Sequence, residues 1–375
     1  MIAKPCTIVV GMSGGVDSSV TALLLKQMGY NVIGMFMKNW EEEVDGVCTS
    51  EKDFEDVVAV AKQIGIPYYP VTFAKEYQEQ VFSYFLKELK KGNTPNPDIL
   101  CNREIKFKLL LETAKNLGAD ALATGHYAIN DQQDGSYFLR KGLDPGKDQT
   151  YFLYTLNQNI LSQTLFPVGN LPKSRVREIA LEHNLFTAKK KDSTGICFIG
   201  KRDFRQFLHG YLQYTSGPFL TLEGKKVGTH HGVAYYTIGQ RRGLAIGGPG
   251  DAYFVVDKDV EQNIVYVAQG KDHPALFSDE LTAYDATWVS GFAPSPLPYH
   301  CQAKIRYRQP DQECVIESID DATLHVRFLV PQRAITSEQS IVFYKDGICL
   351  GGAVIKTRGP SYYVMKKPLP RLVST

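Results

Sequence analysis

A glycine pair set between an apolar run and a helical one constrains this chain more than any other feature. Thr7-Ile8-Val9-Val10 leads toward Ser13-Gly14-Gly15-Val16-Asp17-Ser18, and Val20-Thr21-Ala22-Leu23-Leu24-Leu25 follows. The glycines therefore fall where a strand turns into a helix. Such a turn binds anions: glycine lets phosphate oxygens reach the backbone, successive amides point inward, and the helix offers the positive end of its dipole. Ser13 and Ser18 add hydroxyl donors, and Asp17 is placed to hold a magnesium ion that bridges the phosphates.

The stretch is not the P-loop pattern, which brings a lysine to the outer phosphates, because no lysine follows the glycines. Its order of residues resembles instead the pyrophosphate loop of ATP pyrophosphatases, enzymes that split ATP between its α and β phosphates and transfer AMP to an oxygen of the substrate.

The chain on either side fits an α/β domain. The spacing predicts a helix from about Ser18 to Met28 stopped by Gly29, and a buried strand from Asn31 to Met37. Phe54, Val57, Val58, Ala61 and Ile64 recur at helical spacing before a third strand, Tyr68 to Val71. This βαβαβ order predicts a doubly wound parallel sheet whose ligands bind beyond the carboxyl ends of the strands. Met37 stands at one such end, either as an adenine contact through its backbone or as a core plug. Ala121 to Thr124 reads as a further strand ending at Gly125-His126-Tyr127, where Gly125 lets a nucleotide approach. His126 is a phosphate contact or, on balance, a satisfied polar residue.

Between these, Asn96 reads as a helix cap with Pro97 in the first turn, which puts Asp98 and Cys101 on one face. A thiol in a first turn is acidified by the dipole and made a better nucleophile; the alternative is a buried core cysteine. Asp144 to Gln149 is a polar loop, a linker or a nucleic-acid contact. Lys189-Lys190-Lys191 precedes Gly195-Ile196-Cys197-Phe198, where lysines would stabilise a thiolate or persulfide unless they merely face solvent.

After about Asp203, glycines and short strands dominate, with a hairpin expected over Tyr253 to Asp257 and Asn263 to Ala268. From about Leu281 onward the pattern suggests a small barrel, with Asp346-Gly347 as a hairpin turn. In Cys301 to Arg308, alternation places Lys304, Arg306 and Arg308 on one solvent face, a stripe suited to tracking phosphates.

At 375 residues the chain has room for two or three domains, and a formal net charge of +2 gives no bulk signal of nucleic-acid binding. The seven cysteines are odd in number and widely spaced, which argues against a disulfide framework, and there is no C-x-x-C pair for zinc or an iron–sulfur cluster. The first strand starts after a few residues with no leader pattern, and no apolar run is long enough to span a bilayer. A cytoplasmic protein with no membrane partner is expected.

Together these motifs resemble the bacterial tRNA-specific 2-thiouridylases, over essentially the whole chain. The resemblance rests on Gly11, Met12 and Ser13 through Ser18, on Asn96-Pro97-Asp98 with Cys101-Asn102, on Lys147-Asp148-Gln149, on Gly195 to Phe198 and on Thr237 to Leu244, with a weaker match at Arg306-Tyr307. It implies three parts: an ATP pyrophosphatase domain over 1–202, a small β-rich domain over 203–278 and a C-terminal β-barrel over 279–375, the last two gripping the tRNA. It implies ATP with Mg2+, held by Gly11, Met12, Ser13, Gly14, Gly15, Val16, Asp17, Ser18, Met37 and Gly125. It implies that Cys197 carries a persulfide, that Cys101 attacks it to leave a Cys101 to Cys197 disulfide, and that Asp98 serves as acid or base. Contacts to tRNA would come from Asn96, Pro97, Asp98, Lys147, Asp148, Gln149, Arg306 and Tyr307, and sulfur from a cysteine desulfurase, directly or through carrier proteins. Amidotransferases and NAD synthetases share the loop but have no use for the two cysteines.

Overall fold

The structure is a computed structural model that describes residues 6–40, 49–192, 204–212 and 215–370. Cys197 lies outside the described residues, as does the Gly195 to Phe198 motif.

The amino-terminal part is built on strands β1 (Thr7–Met12), β2 (Asn31–Lys38), β3 (Tyr68–Thr72), β4 (Ala121–Thr124) and, further along the chain, a short strand at Thr164–Leu165. All are parallel, in the spatial order β3-β2-β1-β4 followed by the short strand, so β1 is the switch point between the two directions of winding. Period two sorts β1 between two cores. Ile8, Val10 and Met12 pack with Ala22 and Leu25 of helix α1 (Val16–Gln27) and Val57 and Val60 of helix α2 (Thr49–Ile64). Val9 points the other way, toward Leu110, Leu111 and Ala114.

Two longer helices follow, the second of which covers that face. Segments Ala74–Tyr77, Gln78–Phe82 and Ser83–Lys90 run on as α3, and segments Pro97–Leu100, Cys101–Leu110 and Leu111–Asn116 run on as α4; the middle segment of each is π-type. Apolar residues of α3 together with Cys101 and Ile105 of α4 share one core with Phe219, Val255 and Val265 of the middle region. Its strands are a pair at Gly217–Leu220 and Lys226–His230 and the expected hairpin, now Tyr253–Asp259 with Ile264–Gln269.

The carboxyl-terminal strands Phe277–Trp288, Tyr299–Lys304, Gln312–Asp320, Thr323–Arg333, Ser340–Lys345 and Ile348–Arg358 form a sheet whose first and last members pair, closing a six-stranded barrel. Asp346 and Gly347 both have positive φ, 51° and 76°, the turn geometry that matches the twist of a hairpin. A hairpin from the first part of the chain, Ala128–Gln133 and Ser136–Lys141, joins the last barrel strand through Arg140 and Leu139.

The expected basic stripe does not form. The strand begun near Cys301 ends at Lys304, where Gln309 accepts a hydrogen bond from the Ile305 amide and the chain turns. Lys304 is only 9% exposed, pairs with Asp148 at 3.6 Å and Asp311 at 3.8 Å, and lies 5.4 Å from the ring centre of Tyr344. The three basic side chains therefore do not share a solvent face.

Candidate functional site

The loop after β1 is shaped by its own hydroxyls. Ser13 donates its amide to Ser18 Oγ at 3.2 Å, and Ser18 Oγ donates to the Gly15 carbonyl at 3.1 Å. Gly15 caps α1 with no side-chain hydrogen bond, so the first amides of a twelve-residue helix are left for an anion. Gly14 has φ +72°, and a Cβ there would lie 2.5 Å from the Asp53 carbonyl oxygen. Only glycine makes this bend without displacing α2.

A cavity of about 450 Å3 opens over the loop at the carboxyl ends of β1, β2 and β4, within the range of small-ligand pockets. Of the expected nucleotide residues, Gly11, Met12, Ser13, Gly15, Val16, Asp17, Ser18, Met37 and Gly125 line it, while Gly14 holds the turn from behind. Gly125 has a further reason to be glycine: its Cβ would stand 2.8 Å from the Ser18 amide, so its smallness lets the end of β4 lie against the loop itself.

Asp17 is already engaged. Lys173 Nζ lies 2.6 and 2.8 Å from its two carboxylate oxygens, and Tyr127 Oη donates at 2.7 Å. In this structure both carboxylate oxygens therefore accept hydrogen bonds, and Asp17 joins Lys173 and Tyr127 instead of standing open to a magnesium ion. Among the described residues no group of three or more metal-ligating side chains gathers anywhere. Lys173 also reaches Asp192 at 2.9 Å, which receives Lys147 and Arg177 at 2.7 Å each. Burial works to raise the Asp192 carboxyl, but the hydrogen bonds from Lys147 and Lys173 win and hold it at about 2.

The other wall is α4. Asn96 caps it, its side chain accepting the Asp98 amide at 3.2 Å, with Pro97 first in the helix. Cys101 therefore falls in the second turn rather than the first, 4% exposed in the shared core, where the dipole acts more weakly. The amide of Asn39, just beyond β2, points Nδ2 at its sulfur from 3.8 Å. Asp98 is raised by burial, opposed by the ammonium of Lys106, which favours a carboxyl able to give up a proton. Lys106 donates to Asn102 Oδ1 at 2.8 Å and approaches His126 Nε2 at 3.4 Å. An ammonium has no lone pair, so Nε2 accepts and Nδ1 carries the proton toward Thr124 Oγ1, 2.8 Å away. Burial, and then Lys106, keep His126 well below its usual range and hence neutral. His126 and Lys106 both line the cavity; Cys101 and Asp98 do not.

The expected tRNA residues divide. Lys147, Gln149 and Tyr307 line the cavity, with Tyr307 against Phe152 at a ring distance of 4.4 Å. Asp148 is buried and accepts from the Gly142 amide and from Thr150, so its side chain faces inward. Arg306 does not line the cavity, although its neighbour Tyr307 does. Lys190 is drawn to Asp53 at 2.7 Å and to Asp56, so part of the lysine run anchors α2. Sequence reasoning missed Lys106, Tyr127, Lys173 and Asp192 as site residues. Lys106 had a signal, standing eight positions after Asp98 on one helix; Lys173 had none, since 156 positions separate it from Asp17.

Three family models match the chain in succession: the tRNA methyl transferase HUP domain over residues 6–201, the tRNA methyl transferase PRC-barrel domain over 205–269 and the Aminomethyltransferase beta-barrel domain over 278–355. The chain is 62% identical over 367 residues to the tRNA-specific 2-thiouridylase MnmA of Protochlamydia amoebophila, covering 97% of each. It is 54% identical to the protein of the same name from Staphylococcus epidermidis, covering 97% of this chain and all of that one. Among solved structures, the U34-tRNA thiolase NcsA of Methanococcus maripaludis aligns with a TM-score of 0.35 at 19% identity, covering 51% of this chain and 60% of that one, a likeness too distant to bear on function.

Proposed function

The chain belongs to the tRNA-specific 2-thiouridylase family, and from that premise we propose that it replaces the C2 oxygen of the wobble uridine of its tRNA substrates by sulfur, consuming ATP. The observation that carries this reading is the cavity in which the loop after β1 meets α4 at Lys106 and Leu110, the helix that carries Asp98 and Cys101 just outside the cavity lining.

A carbonyl oxygen is a poor leaving group, so the chemistry needs activation. The uridine O2 attacks the α phosphorus of ATP and pyrophosphate leaves, its charge met by the loop amides, the α1 dipole and the ammonium of Lys106. Magnesium entering with ATP would offset charge on the phosphates, and Asp17 would have to part from Lys173 to ligate it. The terminal sulfur of a persulfide on Cys197 then adds to C2, and AMP departs with the former carbonyl oxygen. Cys101 thiolate attacks the Cys197 sulfur and breaks the S–S bond. Sulfur stays on the base, and the Cys101 to Cys197 disulfide awaits a thiol reductant. Asp98 exchanges the proton at the base. Tyr307 and Phe152, tilted 49° to one another, give aromatic surface at the cavity wall against which a base can pack.

In the same reading, residues 1–202 hold nucleotide and base while 203–278 and 279–375 grip the RNA. A cysteine desulfurase, directly or through carriers, supplies the sulfur in the cytoplasm. No described helix is long and apolar enough to cross a membrane. The methyl-transfer wording of the family models would call for a methyl donor and leave the pyrophosphate loop without a task.

The test is nucleoside mass spectrometry of tRNA incubated with the protein, ATP and a persulfide donor. 2-Thiouridine is expected from the wild type and not from Cys101→Ser or Cys197→Ser, both of which still bind ATP. Normal product from either variant would defeat the cysteine roles, and none from the wild type would defeat the reading.

A further inference from the structure

α3 ends at Lys90 and Asn96 caps α4, so the place of Asp98 and Cys101 depends on the short stretch between the two helices. Its near end is gathered by Glu88, which accepts from Lys91 at 2.7 Å and from Asn93 Nδ2 at 2.8 Å. The remainder is held by residues from elsewhere in the chain.

The middle region grips it first. Lys258 Nζ donates to the Gly92 carbonyl and, at 2.7 Å, to the Tyr236 carbonyl. Burial lowers this ammonium to about 8 despite the pull of Asp257, a measure of how far it is withdrawn from water. Beside it, Thr94 Oγ1 lies 3.3 Å from Thr237 Oγ1, so the stretches Gly92 to Thr94 and Tyr236 to Thr237 run alongside one another and are tied twice. Thr237 opens the Thr237 to Leu244 run, which the nucleotide cavity leaves unused. Gly92 shows how close the approach is: its φ is +78°, and a Cβ there would collide with Val260 Cγ2 in the turn of the same hairpin. A side chain at 92 would push that turn away and draw Lys258 off its carbonyl.

The barrel holds the other side. The Thr94 amide donates to the Ser337 carbonyl at 3.4 Å, and the Thr94 carbonyl accepts from Gln339 Nε2 at 2.5 Å. The amide, carbonyl and hydroxyl of Thr94 are thus all taken by the middle region and the barrel. Pro95 and Pro97 then flank the Asn96 cap, and the fixed φ of each proline leaves little freedom in which a shift at Gly92 could be absorbed before Asp98.

We propose that Lys258 is a positioning residue for the thiolation: by holding Gly92 against Tyr236 it sets where α4 begins, and so where Asp98 and Cys101 stand relative to the base and the Cys197 persulfide. Lys258 does not line the nucleotide cavity and acts only through the backbone it holds. The proposal deepens the thiouridylase reading and rests on it for the reaction. Reacting groups displaced by even about 1 Å lose much of their rate, so a tether far from the chemistry can govern it.

The experiment measures single-turnover formation of 2-thiouridine at saturating tRNA and ATP, with the Kd of each ligand taken separately and each variant assayed well below its own melting midpoint. Lys258→Met keeps the stem and removes the ammonium; it is expected to slow the reaction roughly tenfold while both Kd values stay within about twofold. Lys258→Arg, still a donor to both carbonyls, should recover most of the rate. Gly92→Ala should slow the reaction likewise, and adding Val260→Ala should recover part of it by removing the colliding methyl. Alkylation of Cys101, a residue only 4% exposed, reports the same displacement without the chemistry and should be severalfold faster in Lys258→Met. A wild-type single-turnover rate in Lys258→Met, or a loss confined to the Kd values, would overturn the proposal. Should Lys258→Met fail to fold, Gly92→Ala decides by the same criteria. A wild-type chain that makes no 2-thiouridine would sink the function alone; the alkylation comparison would still decide this inference, an unchanged rate overturning it.

Discussion

Asn39 reaches Cys101 across 62 positions of sequence. Its amide N–H points at Cys101 Sγ in an otherwise apolar core, and its Oδ1 is buried with no partner among the described residues. A donor on sulfur favours thiolate, and a hydrogen bond of about 1 kcal/mol corresponds to roughly fivefold in rate. Asn39→Ala should therefore slow alkylation of Cys101 at neutral pH about fivefold, followed on the Cys101 peptide by mass spectrometry, with ATP binding unchanged. An unaltered rate would make Asn39 a packing residue. Asp192 carries a pH signature. Its folded carboxyl is held at about 2 against an ordinary 3.8, so its contribution to stability is fully present above about pH 4 and is lost as pH falls toward 2. On the order of 1 kcal/mol remains after screening at this partly exposed site. Asp192→Asn should flatten that part of the acid limb in urea titrations at successive pH values. Neither role was legible in the sequence. Asn39 lies 62 positions from Cys101 and Asp192 sits within a basic run, and local pattern says nothing about partners that only folding brings together.

Local signals fared better at the scale of elements. The strand–loop–helix of β1 and α1, the Asn96 cap with Pro97 behind it, and the Asp346-Gly347 turn could all be read because each is fixed by residues within a few positions. The failures were tertiary. Cys301 to Arg308 has the alternation of a strand, yet Gln309 turns it after Lys304, and Lys304 is pulled inward by Asp148 and Asp311. The π-type segment that carries Cys101 and Lys106 has no signature in its apolar spacing, although such segments gather at functional sites. Gly14 and Gly125 shape the loop after β1 by what they leave out. Gly14→Ala combines an unfavourable φ with a clash on the Asp53 carbonyl, and Gly125→Ala drives a methyl into the Ser18 amide. Each should lower stability by about 2–3 kcal/mol in denaturant melts and weaken ATP binding more than tRNA binding. ATP affinity equal to wild type in both would show that the seat lies elsewhere.

Across the whole molecule, the cores do not stop at residue 202. Leu139 and Tyr151 share a core with Val342, Tyr344 and Cys349 of the barrel, and α3 shares another with the middle region. A fragment ending at 202 would expose both faces and the edge of the Ser136–Lys141 strand. It should aggregate or melt well below the full chain, whereas the full chain should unfold in one cooperative transition by calorimetry. This interlock fits a reaction in which base, nucleotide and RNA backbone must hold one register. On the proposed route, transfer of AMP activates the uridine oxygen itself. Substrate tRNA carrying oxygen-18 at the uridine C2 position tests it in a single turnover with ATP and a persulfide donor. The label should appear in the phosphate of AMP, one equivalent per 2-thiouridine formed; label released into water, with unlabelled AMP, would contradict it.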